Sequence, residues 1–172
     1  VPNASNTDSE WIHALALPGM VNVSNNDGGY GDYSDMTAIM TRGTSVTFQG
    51  VPGFGAAAYP EYWKVYIDYN QDLDFDDYGE EVLVLGPHNS FVTGSFTIPM
   101  DATLGATRMR VVMSYTDAID PCGFLAGGEV EDYTVAIQAS SGLAAPIVNN
   151  LQQIATSEAQ FSIHPNPVSQ LL

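Results

Sequence analysis

The stretch DYNQDLDFDDYGEE, residues 68–81, holds seven carboxylates and no Lys or Arg. Oxygen-bearing side chains recur there at every second position, and a later acid follows them: Asp68, Asn70, Asp72, Asp74, Asp76 and Glu80. Two carboxylates about 4 Å apart repel by roughly 4 kcal/mol at an effective dielectric constant of about 20. A calcium ion, which takes about six to eight oxygen ligands, turns this repulsion into a shared attraction. We therefore predict that these six side chains bind Ca²⁺.

The acidic loop, defined here as residues 68–80, differs from an EF-hand. Leu73 stands at the sixth position, where an EF-hand needs Gly, and the final acid comes one place late. Mg²⁺ suits the loop less well than Ca²⁺, because it prefers a tight octahedron and retains its waters. The alternative is a solvated acidic turn without a metal ion. Asp77 and Glu81 are expected to be solvated rather than to bind the ion.

The sequence gives little evidence for a catalytic site. The three histidines are scattered, and neither an HExxH nor a GxSxG motif occurs. Glu129, Glu131 and Asp132 could supply the paired carboxylates of a glycoside hydrolase. They could equally bind the ion or pair with Arg108 and Arg110. We therefore expect a protein without catalytic activity and keep a glycoside hydrolase as the less favoured alternative.

Aromatic residues in turn-rich segments suggest a binding role. Tyr30 and Tyr33 lie in NNDGGYGDYSD, and Tyr59 lies in PGFGAAAYPEYW. Aromatic faces beside Asn, Asp and Gln suit sugar rings, which present an apolar face and a rim of hydroxyls. We name these tyrosines, with Glu129, Glu131 and Asp132, as candidate contacts to a polysaccharide or a cell-surface glycan. Burial in the core, a protein–protein contact and a spacer role are the alternatives.

The charge balance excludes several classes of partner. The 172 residues carry 20 Asp and Glu against 4 Lys and Arg, a net charge of −16. Nucleic acids and anionic lipids require clustered cations, so neither is an expected partner. No run of about 18 apolar residues occurs, which predicts no membrane insertion. Cys122 is the only cysteine, so the sequence contains no internal disulfide.

The elements that must position these residues are predicted to be short strands. Apolar and polar residues alternate in EYWKVYID, TRMRVVMSY and EVEDYTVAI, and Gly, Pro, Asn and Asp separate such runs. This pattern predicts an all-β fold, an antiparallel, jelly-roll-like β-sandwich over residues 1–138 with the calcium loop between strands. Residues 139–160 are small and polar and are predicted to form a linker. Residues 161–172 resume a strand-like pattern.

Four stretches resemble the GEVED domain family. They are GEVEDY at 128–133, EWIHALAL at 10–17, YWKVYIDYNQDLDFDDYGE at 62–80, and GATRMRVVMSY followed by PCG within 105–123. The resemblance implies a β-rich accessory module of a secreted or surface-attached bacterial protein. Such modules stand beside proteases, glycoside hydrolases or adhesins, and no catalytic role is attached to them.

Two departures from the family pattern bear on the site. Leu73 stands where relatives usually carry Gly, which implies an altered loop geometry around the ion. Relatives often have a cysteine shortly before the EWI segment, and the resemblance implies that Cys122 could pair with such a residue in a longer chain.

The last residues resemble a second family. FSIHPNPVSQLL, residues 161–172, is similar to the first strand of the C-terminal sorting domain of type IX secretion, with His164 in place of the usual Tyr. Only the opening of such a domain is present. The resemblance implies that the parent protein is exported across the outer membrane and then released or anchored at the cell surface.

Overall fold

The computed structural model describes residues 3–4, 9–117 and 119–140. The predicted linker and the stretch that resembles a sorting domain lie outside these residues, apart from positions 139 and 140. Within the described part, eleven strands and no helix are present. The strands are β1 (Asn3–Ala4), β2 (Glu10–Leu17), β3 (Met20–Val23), β4 (Tyr30–Thr41), β5 (Ser45–Phe54), β6 (Glu61–Ile67), β7 (Glu81–His88), β8 (Val92–Thr97), β9 (Gly105–Ser114), β10 (Phe124–Leu125) and β11 (Glu129–Gln138). The described residues therefore contain no apolar helix of membrane-spanning length.

Two sheets form a β-sandwich, which confirms the predicted fold class. One sheet has the strand order β4-β11-β9-β6-β7, and the other has the order β3-β2-β5-β8. The strands β1 and β10 form a separate short pair. The sheets are not wholly antiparallel, because β11 pairs with β4 in parallel, as β1 does with β10.

The core lies between the two sheets. Trp63 of β6 is fully buried, and its ring meets Phe48 of β5 edge-on at 6.1 Å between centroids. Val65 and Ile67 follow Trp63 at alternate positions on the same face and are also fully buried. The alternation in the sequence therefore marks the face of β6 that packs against the other sheet.

A second, smaller cluster covers the outer face of the larger sheet. Tyr66 of β6 and Val112 of β9 are buried there under Phe75 of the acidic loop, whose ring lies 6.0 Å from that of Tyr66. The acidic loop is thus anchored by an apolar side chain and does not project freely from the sheet.

Candidate metal centre

The ends of the acidic loop are held by three hydrogen bonds. The N–H of Ile67 donates to the carbonyl of Glu80 at 2.9 Å, which closes the loop between β6 and β7. The N–H of Asp68 donates to the carbonyl of Arg108 at 3.1 Å, and the Thr107 hydroxyl donates to the carbonyl of Asp68 at 2.6 Å. The first acid of the loop is therefore fixed against β9.

Within the loop, side chains accept hydrogen bonds from the backbone two residues ahead. The N–H of Asp72 donates to Asn70 Oδ1 at 2.9 Å, that of Asp74 to Asp72 Oδ1 at 3.3 Å, and that of Asp76 to Asp74 Oδ1 at 3.0 Å. Such turns are a property of Asp and Asn, whose short side chains reach their own backbone. The contacts to Asp72 and Asp74 use Oδ1 of each carboxylate, so that each Oδ2 is directed away from these turns.

Asp68 organises the first half of the loop. Its Oδ1 accepts the N–H groups of Gln71 at 2.7 Å and Asp72 at 3.2 Å, and its Oδ2 accepts that of Leu73 at 3.2 Å. The chain reaches these contacts with φ of 66° at Gln71 and 80° at Leu73, a region that favours glycine. Leu73 therefore adds local backbone strain at the sixth position of the loop, where an EF-hand needs Gly.

Glu80 leaves one buried oxygen without a partner. Its Oε1 accepts the N–H groups of Tyr69 at 2.7 Å and Asn70 at 3.4 Å. Its Oε2 is buried and has no hydrogen-bond partner among the described residues. Burial raises the pKa of the Glu80 carboxyl, and the charges of Asp68 and Asp72 raise it further. A cation at this oxygen would remove the cost of burying an uncompensated charge.

Three exposed carboxylates of the acidic loop lie close together. Oxygens of Asp72, Asp74 and Asp77 are all within 4.8 Å of one another. The Asn70 amide donates to Asp72 Oδ2 at 2.8 Å and to an oxygen of Asp77. This spacing allows one ion to contact all three carboxylates.

The six predicted ligands are therefore not all equivalent: some belong to or contact the exposed carboxylate group, some are buried, and one lies outside the group. Asp72 and Asp74 belong to the carboxylate group and Asn70 contacts it, whereas Asp68 and Glu80 are buried beneath the loop surface. Asp76 is exposed and is not part of the group. Asp77, which the sequence places in solvent, is the third member. Glu81 instead forms an ion pair with Lys64 at 2.7 Å.

A second group of carboxylates joins Glu129 and Glu131 of β11 to Asp27. Oxygens of the three side chains lie within 4.8 Å of one another. Glu129 is fully buried, and its two oxygens accept the N–H groups of Ile12 at 2.9 Å and Asp27 at 2.8 Å. Burial raises the pKa of Glu129 to about 7, against the opposing effect of these hydrogen bonds.

Glu131 lies beside Glu129 in the same buried region. Its Oε1 accepts a hydrogen bond from the Ser24 hydroxyl at 2.9 Å, and its Oε2 accepts one from the Tyr133 hydroxyl at 2.6 Å. Asn22 in turn donates to the Tyr133 hydroxyl at 2.9 Å. Burial raises the pKa of Glu131 to about 8. Because Glu129 and Glu131 are fully buried, neither side chain is exposed to a glycan or to a polysaccharide substrate.

Asp132 points to the opposite face of β11 and meets Arg110. The guanidinium binds the carboxylate through two contacts of 2.7 Å, Nε to Oδ1 and Nη2 to Oδ2. The Tyr30 hydroxyl donates to Oδ2 at 2.9 Å, and Arg108 Nε lies 3.9 Å away. Asp132 is therefore a buried structural anion.

The candidate glycan tyrosines differ in their exposure. Tyr30 is partly buried against Asp132, and Tyr33 donates to Asp27 and stacks on Tyr133 at 5.6 Å. Tyr59 is 52% exposed. Tyr78, which the sequence does not single out, is fully exposed within the acidic loop, next to Asp77. Tyr59 and Tyr78 are thus the more exposed rings among these four tyrosines.

Comparisons with known proteins identify one matching family model and solved structures of low sequence identity. Residues 62–136 match the family model of the GEVED domain. No curated protein matches the sequence. Among solved structures, a Niemann-Pick type C2 protein from Japanese carpenter ant is 5% identical, with a TM-score of 0.43, over 77% of this chain and 96% of that one. A CARDB domain from Pyrococcus furiosus, crystallised with di-metal ions, is 11% identical, with a TM-score of 0.35, over 78% and 93%.

Proposed function

We propose that this chain, whose residues 62–136 match the GEVED domain, contains a calcium-stabilised, non-catalytic accessory module of a secreted or surface-attached bacterial protein. The family match supports the accessory role, because GEVED is an accessory domain of extracellular proteins. In the parent chain the module would stand beside a catalytic or adhesin domain. The burial of Glu129 and Glu131 counts against a glycoside hydrolase that uses them.

The buried Oε2 of Glu80 is the observation that carries the calcium assignment. A carboxylate oxygen without a donor, next to Asp68 and Asp72, requires either a proton or a cation. The loop that contains Glu80 also supplies carboxylate and amide oxygens, which are hard ligands that Ca²⁺ prefers. We assign the ion to the group of Asp72, Asp74 and Asp77, with Asn70 and Glu80 as the neighbouring oxygen donors.

Calcium removal gives the direct test of this assignment. An ion that binds only the folded state stabilises it by about 2.7 kcal/mol at a hundredfold excess over Kd. Melting temperatures measured in Ca²⁺ and in EGTA should therefore differ by several degrees, with the higher value in Ca²⁺. Equal midpoints in the two buffers would refute the assignment.

Neighbouring acids supply a matched pair of variants. Asp77→Asn should weaken Ca²⁺ binding in a calorimetric titration, because Asp77 belongs to the carboxylate group. Asp76→Asn makes the same change in charge one residue away and should leave the affinity nearly unchanged. A loss of affinity in Asp76→Asn alone would show that the sequence-based ligand set, and not the observed grouping, describes the site.

Carbohydrate binding is the second candidate function, and the exposed ring of Tyr78 beside Asp77 favours it. A sugar could stack on this ring while its hydroxyls meet the acidic loop. Retention on a glycan array in Ca²⁺, lost in EGTA and in Tyr78→Ala, would support this function. Tyr59→Ala tests the other exposed ring in the same assay. Absence of retention would leave a spacer or a protein–protein contact as the role of the module.

A further inference from the structure

Glu61, the first residue of β6, is a buried carboxylate without a partner. Its side chain is 0% exposed, and neither of its oxygens has a hydrogen-bond partner among the described residues. His88 stands opposite Glu61 in the strand pairing, yet the histidine is exposed and makes no hydrogen bond to the carboxylate. An isolated carboxylate ion in such a position is costly by several kcal/mol, so a compensating group is required.

A second buried acid approaches from the facing sheet. Glu10 is the first residue of β2, is 4% exposed, and has an unpartnered Oε1. A Cβ added at Gly127 would lie 2.7 Å from this oxygen and 3.0 Å from the ring of Tyr115. Glu61 directly precedes Tyr62, which pairs with Ser114, and Tyr115 directly follows Ser114. Burial, and then the charge of Glu10, raise the pKa of Glu61 to about 8, as expected for neighbouring acids.

No basic side chain compensates these two acids. The chain has 4 Lys and Arg, all of them in the described residues. Their observed partners lie elsewhere: Lys64 pairs with Glu81, Arg108 and Arg110 pair with Asp132, and Arg42 donates to the carbonyl of Ala102. Among the described residues no group compensates the two acids, which leaves a bound cation or a proton as the candidates.

We propose that Glu10 and Glu61 form a second divalent-cation site, which takes Ca²⁺ and joins the two sheets at the end where β2 and β6 begin. The two carboxylates offer up to four oxygens, and Gly127 leaves the space beside Glu10 free of a side chain. Water and main-chain carbonyls are the usual remaining ligands of Ca²⁺. The site is distinct from the acidic loop, because the seven residues of β6 separate Glu61 from that loop by about 20 Å at 3.3 Å per residue.

Calorimetric titration of the 172-residue chain with Ca²⁺, after treatment with a chelator, counts the sites. We expect two ions for the unmodified chain, one for Asp77→Asn and one for Glu61→Gln. Glu81→Gln, which removes the same charge from an exposed carboxylate paired with Lys64, should retain both ions. Undiminished binding by Glu61→Gln would overturn the second site and leave the loop site standing. One ion in the unmodified chain, lost only in Glu61→Gln, would support the second site and contradict the loop site.

Melting temperatures separate a bound cation from a shared proton. In EGTA, Glu61→Gln should melt at or above the unmodified chain, because the variant removes a carboxyl group whose ionisation is costly in this buried position. In Ca²⁺, the variant should melt below the unmodified chain, because it loses the stabilisation by the ion. Glu10→Gln should repeat both effects. Equal stabilisation by Glu61→Gln in the two buffers would indicate that the acids share a proton, and would overturn the cation site.

Discussion

Replacing Arg110 by Met is expected to lower the free energy of unfolding by about 3–5 kcal/mol, because it leaves Asp132 as an uncompensated buried charge. The guanidinium makes two contacts of 2.7 Å to this carboxylate and donates to the carbonyl of Pro121 at 2.6 Å. It also lies 5.2 Å from the centroid of the Phe75 ring. Denaturant unfolding in Ca²⁺ measures the loss.

Arg108 provides the matched control for this substitution. Its side chain is 55% exposed and its Nε lies 3.9 Å from the same carboxylate. An exposed pair of this kind contributes about 0–1 kcal/mol, so Arg108→Met should be nearly neutral. The double variant Arg110→Met/Asp132→Asn should recover part of the loss, since no unpaired charge remains. Similar losses in the two single arginine variants would contradict a specific role for the buried pair.

The same arginine connects the larger sheet to the candidate metal centre. Phe75 belongs to the acidic loop, and its ring packs between the Arg110 guanidinium and Tyr66. Asp132, the partner of Arg110, lies in the GEVEDY stretch of β11. The motif therefore supports the loop indirectly, through a buried ion pair and an aromatic ring. Glu129 and Glu131 of the motif point instead to the opposite side of β11, toward β2 and β3.

Much of the fold is predictable from alternation alone. Trp63, Val65 and Ile67 mark one face of a strand because side chains alternate with a period of two. The acids that follow Ile67 mark the end of that strand, since an alternating run of charges is unsuited to a core. These local patterns are sufficient to predict a β-sandwich and to place the acidic loop directly after the strand that contains Trp63.

Strand neighbours and loop geometry are less predictable, because they depend on contacts distant in sequence. The parallel pairing of β4 with β11 joins residues about a hundred positions apart, and alternation carries no information about it. Arg110 lies on the polar face of the alternating pattern, where an exposed side chain is expected. It is buried against the Phe75 ring, Asp132 and the Pro121 carbonyl. Gln71 and Leu73 have positive φ, which alternation in the sequence does not predict, and the carboxylate group includes Asp77 and not Asp76.

The calcium-free domain is expected to lose stability as the pH rises from about 5 to about 8. Burial raises the pKa of Glu131 to about 8, above its ordinary value of 4.5. Between these two values the folded state binds more protons than the unfolded state, so the free energy of unfolding falls with rising pH. The slope reaches about 1.4 kcal/mol per pH unit for one such group. Glu129 and Glu61, with pKa values raised to about 7 and about 8, change stability in the same direction.

We expect the contribution of Glu131 to this pH dependence to be measurable from melting temperatures in EGTA. The unmodified chain and Glu131→Gln are compared across the same pH range. The variant cannot titrate, so its melting temperature should fall less steeply with pH. A protonated Glu131 also fits its hydrogen-bond partners. The Ser24 hydroxyl has a single proton, which can be donated to the Ile12 carbonyl 2.7 Å away. The protonated carboxyl group of Glu131 then donates to the Ser24 oxygen. A melting temperature that rises over this range, or an identical slope in the variant, would show that Glu131 is ionised in the folded domain.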